Sequence, residues 1–262
     1  MPSSTDRAGA GPIWRIERYG ELPSTMDLVR ERARAGAGEG LVVVAGRQTA
    51  GRGRHGRGWT SPAGNLYLTL LLRPGRPAIA VAGLALVAGL SLAEACAALG
   101  APPGRLHLKW PNDLVLDGAK LAGILLESES GSGQQLDWVS IGMGVNVASA
   151  PALPDRPSAA LTDLLPNAES GALEALLLEH LARNYLAWRQ DGMAAITGRW
   201  SAYGLPPGTP ILIRPGRDVL SGTYVGIDGE GALLVDTGRL QRVTAGEVLF
   251  AGEALAGSAT TA

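Results

Sequence analysis

The chain has 262 residues, of which 46% are hydrophobic and 18% charged, so we expect a globular protein with one large or two smaller domains. A formal net charge of −1 argues against general nucleic-acid affinity and favours a small anionic ligand. The single cysteine, Cys96, excludes an internal disulfide, and three well separated histidines indicate no structural metal site. The N-terminus has no charged region followed by an apolar core, so we predict no signal peptide and a cytoplasmic protein.

Alternating and periodic patterns predict the elements of the first half. Residues 1–12 are rich in Ser, Gly, Ala and Pro and are predicted to be disordered. The next elements are a strand at 14–19, a helix from Ser24 or Thr25 to about Ala35, strands at 41–44 and 66–72, and an Ala/Leu helix at 77–99. The uncharged part of that helix, 77–93, is shorter than the roughly 20 residues of a membrane span. It therefore predicts a buried core helix and no membrane association.

The second half begins with strands and helices and ends in a series of short strands. We expect a strand at 106–110, a hairpin at Asp117-Gly118, strands at 121–127 and 138–147 around a polar loop at 128–135, an irregular Pro-rich segment at 148–166, and helices at 173–189 and 192–203. Short strands follow at 211–213, 220–227, 232–235, 241–244 and 248–250. We predict one domain at 13–203, a small β-barrel at 204–252 and a loose tail at 253–262.

The stretch 46–59, which we call the Arg/Gly loop, holds four arginines, five glycines and one tryptophan, and no acid. Alternating glycines disfavour a regular helix or strand, and arginines resist burial without anionic partners. The sequence therefore predicts a mobile cationic loop between two strands. Guanidinium groups bind phosphate oxygens bidentately, so the loop suits a ligand that carries phosphate.

Two further polar islands interrupt apolar strands. The first runs from Lys109 to Asp113 and is followed by Lys120-Leu121-Ala122-Gly123-Ile124-Leu125; the second is Gly142-Met143-Gly144-Val145-Asn146. A lysine at the end of an apolar strand needs an anion, and Asp113 is either that anion or a group that helps to hold a cation; a surface salt bridge from the strand end is the alternative. Glycines inside a strand indicate either a close approach of the backbone to a ligand or a sheet bulge.

Taken together, these motifs resemble those of biotin–protein ligases. Their order is Ser24-Thr25, then 48–59, Asn65-Leu66-Tyr67, 109–113, 120–127 and 142–146. The resemblance covers about residues 13–250, and its GRGRxGRxW and KWPND motifs are each specific. It implies an α+β fold, in which a mixed sheet with flanking helices forms a class II synthetase-like catalytic domain and a small SH3-like barrel follows. The implied enzyme is a monofunctional ligase without an N-terminal DNA-binding domain.

The resemblance also implies a reaction and its site. Such ligases join biotin to ATP as biotinyl-5′-AMP, with Mg²⁺ held mainly by ATP oxygens, and then acylate a lysine of a biotin carboxyl carrier domain. The implied catalytic residues are Lys109, Arg52 and Arg54. The implied biotin-binding residues are Ser24, Thr25, Gln48, Gly51, Arg52, Arg54, Lys109, Gly123 and Leu125. The implied ATP-binding residues are Arg54, Arg57, Trp59, Lys109, Asn112 and Asn146.

Some expectations remain open at this point. Met26 stands where many family members carry Asn, so one polar contact to biotin is in doubt, and Trp59 is either a ligand contact or an anchor for the loop base. Arg47 is assigned only to support of the strand end. The native acceptor, the metal ligands and homodimer formation are not defined by the sequence. The alternatives are a lipoate ligase or octanoyltransferase of the same superfamily, a nucleic-acid-binding protein that uses the Arg/Gly loop, and an inert biotin sensor.

Overall fold

The computed structural model describes residues 11–130, 135–153, 156–214 and 219–250. Three sequence predictions lie wholly or largely outside these residues: the disordered N-terminus, the loose tail after 252, and much of the polar loop at 128–135. Twelve strands and five helices form two sheets and their covering layers within the described part of the chain. The mixed α+β class is confirmed, with helices around a mixed sheet and a second, antiparallel sheet at the C-terminus.

The larger sheet has seven strands in the order β1-β2-β3-β7-β6-β5-β4. Only β1 and β2 are parallel, and every other neighbouring pair is antiparallel. The strands are β1 (Arg15–Leu22), β2 (Leu41–Gln48), β3 (Leu66–Leu72), β4 (Leu106–Lys109), β5 (Asp113–Leu116), β6 (Ala119–Ser130) and β7 (Leu136–Val145). All seven residues of β3 are buried, so core side chains pack against both faces of the sheet at this strand.

Helices cover the two faces of that sheet. They are α1 (Thr25–Arg34), α2 (Ala78–Val81), α3 (Leu84–Ala98), α4 (Ser170–Asp191) and α5 (Ala194–Tyr203). Because side chains alternate along a strand, Leu70 joins the large core with α3 to α5, whereas Leu71 joins a smaller core with Val29 and Ala33 of α1. Helix α3 is apolar almost all round because it lies between the sheet and α4. None of the described helices is long and apolar enough to cross a bilayer.

The C-terminal sheet has the strand order β11-β10-β9-β8-β12 and is antiparallel throughout. Its strands are β8 (Pro210–Arg214), β9 (Leu220–Ile227), β10 (Leu233–Asp236), β11 (Leu240–Val243) and β12 (Glu247–Leu249). The indole nitrogen of buried Trp110 donates a hydrogen bond of 3.0 Å to the Gly231 carbonyl, between β9 and β10. This bond ties the C-terminal sheet to the turn that carries the KWPND motif.

Two elements differ from the sequence prediction. Strand β2 continues to Gln48 because Glu21 and Leu22 of β1 pair with Arg47 and Gln48, so part of the predicted loop is strand. The predicted helix at 77–99 is interrupted between α2 and α3. At Gly83, a Cβ atom would lie 2.4 Å from the sulfur of Met193, so this position must stay small. The Asp117-Gly118 hairpin forms as predicted, with positive φ at both residues.

Candidate active site

The three polar islands converge on one cavity of about 110 Å³, bounded by the Arg/Gly loop, the N-terminus of α1, β6, β7 and the C-terminal sheet. Ten of the thirteen predicted site residues line it: Ser24, Thr25, Gln48, Arg52, Arg54, Arg57, Trp59, Asn112, Gly123 and Leu125. Residues that are more than a hundred positions apart in the sequence therefore share one pocket. The grouping is the first structural support for treating the islands as one site.

Three predicted residues do not line the cavity. Gly51 lies behind it, where a Cβ atom would be 2.4 Å from the Trp59 carbonyl oxygen. Lys109 is buried, and its ammonium lies 4.8 Å from the centroid of the Phe250 ring. Asn146 is also buried and donates to the Ala159 carbonyl at 3.2 Å. The ligand contacts assigned to these three residues stay predictions.

The glycines of β6 and β7 make room for two side chains. A Cβ atom at Gly142 would lie 2.4 Å from the Met26 sulfur, and one at Gly144 would lie 2.5 Å from the indole nitrogen of Trp59. The Trp59 ring also lies 3.2 Å from a Cβ built at Gly123. Met26 thus forms an apolar wall of the cavity, where the sequence left a polar contact in doubt. The strand glycines allow a close approach, and in this structure the approaching groups are side chains.

The arginines of the Arg/Gly loop have different partners. Arg52 pairs with Asp27 of α1 at 3.0 Å and with Glu127 of β6 at 2.7 Å. Arg54 donates to the Asn112 side-chain oxygen at 2.8 Å and to the Gly246 carbonyl at 3.2 Å. Outside the cavity, Arg47 pairs with Glu21 of β1 at 3.2 Å. Each of these three arginines therefore has a polar or anionic partner from the chain itself.

The Arg/Gly loop is folded over the cavity through a tight turn. His55 and Gly56 both have positive φ, and Arg52 forms a bridge with Gly58 across the turn. Arg57, beyond the turn, pairs with Glu247 of β12 at 2.9 Å. The Arg/Gly loop therefore contacts the C-terminal sheet through two arginines, because Arg54 also reaches Gly246.

Two further cationic side chains at the cavity, those of Lys120 and Arg156, belong to residues to which the sequence analysis gave no role. The ammonium of Lys120 lies 2.8 Å from an Asp113 oxygen and 5.5 Å from the centroid of the Trp59 ring. Arg156, whose side chain is only 5% exposed, lies 3.8 Å from the other Asp113 oxygen. Lys120 was visible in the KLAGIL motif, whereas Arg156 lies in an irregular segment with no local signal. The sequence analysis left open whether Asp113 is the anionic partner of Lys109. In the folded chain, Asp113 pairs with Lys120 and with Arg156.

Glu247 was also missed, and its environment is strongly electrostatic. Its carboxylate receives hydrogen bonds from Arg57 at 2.9 Å and from Arg156 at 3.2 Å. Burial alone would raise the pKa of this group, but the two guanidinium groups outweigh it and lower the pKa to about 2. The carboxylate is therefore ionised at neutral pH and holds two cations beside the cavity.

These features define what the cavity can accept. One part is lined by the neighbouring residues Met26, Leu125 and Gly142, which are apolar, together with the polar groups of Ser24, Thr25 and Gln48. The other part collects the charged groups of Arg54, Arg57, Lys120 and Arg156 with the carboxylates of Asp113 and Glu247. A ligand with an apolar body, a polar head and an anionic end matches this division. No group of three or more metal-ligating His, Cys, Asp or Glu side chains occurs in the described ranges.

Comparison with known proteins agrees with this fold. The family model described as "Biotin/lipoate A/B protein ligase family" matches residues 21–146, and "Biotin protein ligase C terminal domain" matches residues 210–250. The chain therefore belongs to the biotin protein ligase family.

Two named relatives and one solved structure show which members of the family this chain resembles. The chain is 42% identical over 218 residues to "Biotin--[acetyl-CoA-carboxylase] ligase" of Paracoccus denitrificans, covering 80% of this chain and 90% of that protein. It is 35% identical to the enzyme of the same name from Mycobacterium tuberculosis, covering 92% and 91%. Among solved structures, the biotin protein ligase of Aquifex aeolicus in complex with biotin and ATP matches with a TM-score of 0.77 and 26% identity, covering 90% of this chain and 98% of that one.

Proposed function

We propose that this protein joins biotin to one lysine of a biotin carboxyl carrier domain, using ATP and forming biotinyl-5′-AMP on the way. The observation that carries the proposal is the division of the cavity into an apolar slot and a cationic end. Biotin has an apolar bicyclic ring and tail, a polar ureido head and a carboxylate. The slot between Met26 and Leu125 suits the ring and tail, and the groups at Ser24 and Gln48 suit the ureido head.

The first step brings together two anions. A biotin carboxylate oxygen attacks the α-phosphorus of ATP, the bond from that phosphorus to the bridging oxygen breaks, and pyrophosphate leaves. Because both reactants are negative, catalysis consists mainly of positioning and charge neutralisation. We assign neutralisation to Arg52, Arg54 and Arg57, as the family motifs imply. We add Lys120, because its ammonium lies in the cavity beside Asp113.

The second step transfers the acyl group. The neutral amine of the carrier lysine attacks the biotinyl carbonyl carbon, AMP leaves with its phosphate oxygen, and the nitrogen releases a proton as the amide forms. The Arg/Gly loop protects the mixed anhydride from water and stray amines until the acceptor arrives. The position of the loop over the cavity, with Arg57 held by Glu247, supports this role.

The remaining site assignments are part of the proposal. Lys109 and Asn146 were predicted from the family motifs to contact phosphate or nucleotide, and both are buried. Magnesium, when bound, would neutralise the phosphates of ATP and be held mainly by phosphate oxygens. The residues at the cavity agree with a metal held mainly by ATP, because the carboxylate of Asp113 is already paired with Lys120 and Arg156.

The test is a reaction of the purified chain with ATP, Mg²⁺, biotin and a biotin carboxyl carrier domain, with the product mass measured. We expect one added biotinyl group on one lysine, and no product without ATP. Lipoate in place of biotin tests the main alternative within the superfamily, and preferential lipoylation would overturn the proposal. Binding of an oligonucleotide with a steep salt dependence, without biotinylation, would instead favour the nucleic-acid alternative.

A further inference from the structure

A chain of hydrogen bonds runs from the centre of the core to the base of the Arg/Gly loop. It begins at Thr69, in the middle of β3, whose side chain is fully buried. The Thr69 hydroxyl lies 2.8 Å from the hydroxyl of Thr25 on α1. Thr25 in turn contacts Gln48 at the end of β2, Gln48 contacts Ser61, and Ser61 contacts the Trp59 carbonyl. Four segments of the fold are therefore linked through side chains beside the cavity.

The chemistry of these groups fixes the direction of each bond. The Gln48 amide oxygen can only accept, and it receives the Thr25 backbone N–H at 2.9 Å and the Thr25 hydroxyl at 3.1 Å. Since the Thr25 proton is used there, Thr69 must donate to Thr25. At the other end, the Gln48 side-chain nitrogen donates to the Ser61 oxygen at 3.1 Å, and Ser61 donates to the Trp59 carbonyl at 2.9 Å.

The directions of these hydrogen bonds determine which way the side-chain amide of Gln48 faces in the cavity. Rotating its amide by 180° would place an NH₂ group against the Thr25 N–H, leaving that donor at the start of α1 without an acceptor. The second N–H of the Gln48 amide makes no hydrogen bond within the described residues, and Gln48 lines the cavity. The hydroxyl of Ser24, 98% buried and lining the same cavity, likewise has no partner within them.

Packing around Gly51 restricts the chain further. A Cβ atom at Gly51 would lie 2.7 Å from the Ser61 oxygen and 3.1 Å from the Gln48 nitrogen. The space behind the Gln48 amide is therefore filled by backbone at Gly51 and by Ser61. A different side-chain rotamer has to displace one of these groups, so the hydrogen bonds and the packing favour the same orientation.

We infer that Thr69 and Ser61 are positioning residues, which hold the Gln48 amide with an N–H directed to the carbonyl oxygen of the biotin ureido group. Neither residue was among those predicted from the sequence, and Thr69 does not line the cavity. The inference rests on the proposed function, because it assigns the polar head of the same substrate. Its consequence is specific: loss of either hydroxyl should weaken biotin recognition and leave ATP recognition unchanged.

The test uses matched variants with steady-state kinetics and thermal unfolding. Thr69→Val removes the hydroxyl at nearly constant volume, Thr69→Ser retains it, and Ser61→Ala removes the other end of the chain. Ser140→Ala is the control, because Ser140 is fully buried on β7 but, among the described residues, its hydroxyl donates only a long hydrogen bond of 3.4 Å to the Glu127 carbonyl. We expect Thr69→Val and Ser61→Ala to raise KM for biotin about five- to tenfold, the effect of a typical lost hydrogen bond. KM for ATP should stay within about twofold, and Thr69→Ser should restore biotin recognition.

The carbonyl assignment has its own measurement. In 2-iminobiotin a C=NH group replaces the ureido carbonyl, so a donor from Gln48 loses its acceptor when that group is protonated. Thr69→Val should therefore cost biotin binding, measured by calorimetry, more than it costs binding of 2-iminobiotin. Equal costs for the two ligands would overturn the assignment to the carbonyl.

Other outcomes separate the inference from the proposed function. A wild-type protein that binds no biotin would overturn both. A wild-type protein that biotinylates its acceptor, with Thr69→Val and Ser61→Ala lowering Tm as Ser140→Ala does while KM for biotin stays at the wild-type value, would overturn only the positioning role. Ser61→Ala keeps the test decisive if Thr69→Val fails to fold.

Discussion

Replacing Glu247 by Gln should remove an acid-sensitive contribution to stability. The Glu247 side chain is 15% exposed and joins the C-terminal sheet to Arg57 of the Arg/Gly loop and to Arg156, which is 5% exposed. Glutamine keeps the size and one hydrogen-bond acceptor but lacks the charge. The pH-dependent part of the stability difference therefore isolates the charge of this carboxylate.

The magnitude follows from the pKa of Glu247, which falls from an ordinary 4.5 to about 2 in the folded protein. A lowered pKa means that the unfolded chain binds the proton more tightly, so the contribution is fully present above pH 4.5 and is lost as pH falls toward 2. At neutral pH it amounts to at most about 3 kcal/mol, and by about pH 3 roughly half of it should be gone.

Urea unfolding of the wild type and Glu247→Gln between pH 7 and pH 3 measures this contribution. The stability difference between the two proteins should shrink by about 1.5–2 kcal/mol over that range. Glu230→Gln is the control within the same sheet, because Glu230 also pairs with an arginine, Arg242, but its side chain is 82% exposed. We expect the Glu230→Gln curve to run nearly parallel to the wild type. A Glu247→Gln curve that is equally parallel would refute the assignment of a strongly lowered pKa to Glu247.

Three further predictions concern single residues. Lys120→Ala should reduce biotinyl-adenylate formation about 100-fold or more and should also lower Tm, because the 8% exposed side chain of Asp113 loses an ion-pair partner. Lys109→Ala should reduce ligation and lower Tm, because Lys109 is buried against an aromatic ring. Full adenylate formation by Lys120→Ala would contradict the role we give it. Gly144→Ala should displace the Trp59 ring, 2.5 Å from the added Cβ, and lower Tm and ligation together, so unchanged values would show that the ring has room to move. Burial raises the pKa of the Cys96 thiol to about 12, so it should react with a thiol reagent at pH 8 only after urea unfolding, and rapid reaction of the native protein would contradict its burial.

Much of the fold could be predicted because local chemistry determined it. The run 66–72 is apolar and bounded by turn residues, and it forms β3 with the predicted limits. The Asp117-Gly118 hairpin needs two residues that tolerate positive φ, and the sequence supplies them. By contrast, the extension of β2 to Gln48 depends on pairing with β1. Such tertiary causes leave no periodic signal.

The candidate site also has residues that the sequence predicted and residues whose position depends on the folded chain. The sequence identified residues inside recognisable motifs, such as Arg54 and Gln48, and these line the cavity. It gave no role to Arg156 and Glu247, because each gains its importance from a partner that only the folded chain brings near. Lys120 lies in a recognisable motif, yet its place beside Asp113 depends on the pairing of β5 and β6. The role assigned to Lys109 stays a prediction.

The contacts of the Arg/Gly loop also constrain how an anion can bind. Arg52 and Arg57 already have carboxylate partners from the chain itself, and Lys120 has Asp113. A phosphate that enters must exchange with these carboxylates, so it gains only the difference between two charge-assisted interactions, not the whole of one. Pyrophosphate alone should therefore bind weakly. A ligand that also fills the apolar slot adds the free energy of burying apolar surface, which the carboxylates cannot supply. If the proposed reaction is correct, we expect selectivity for a biotinyl adenylate over free phosphates to depend on the apolar slot together with the cationic end, and not on the arginines alone.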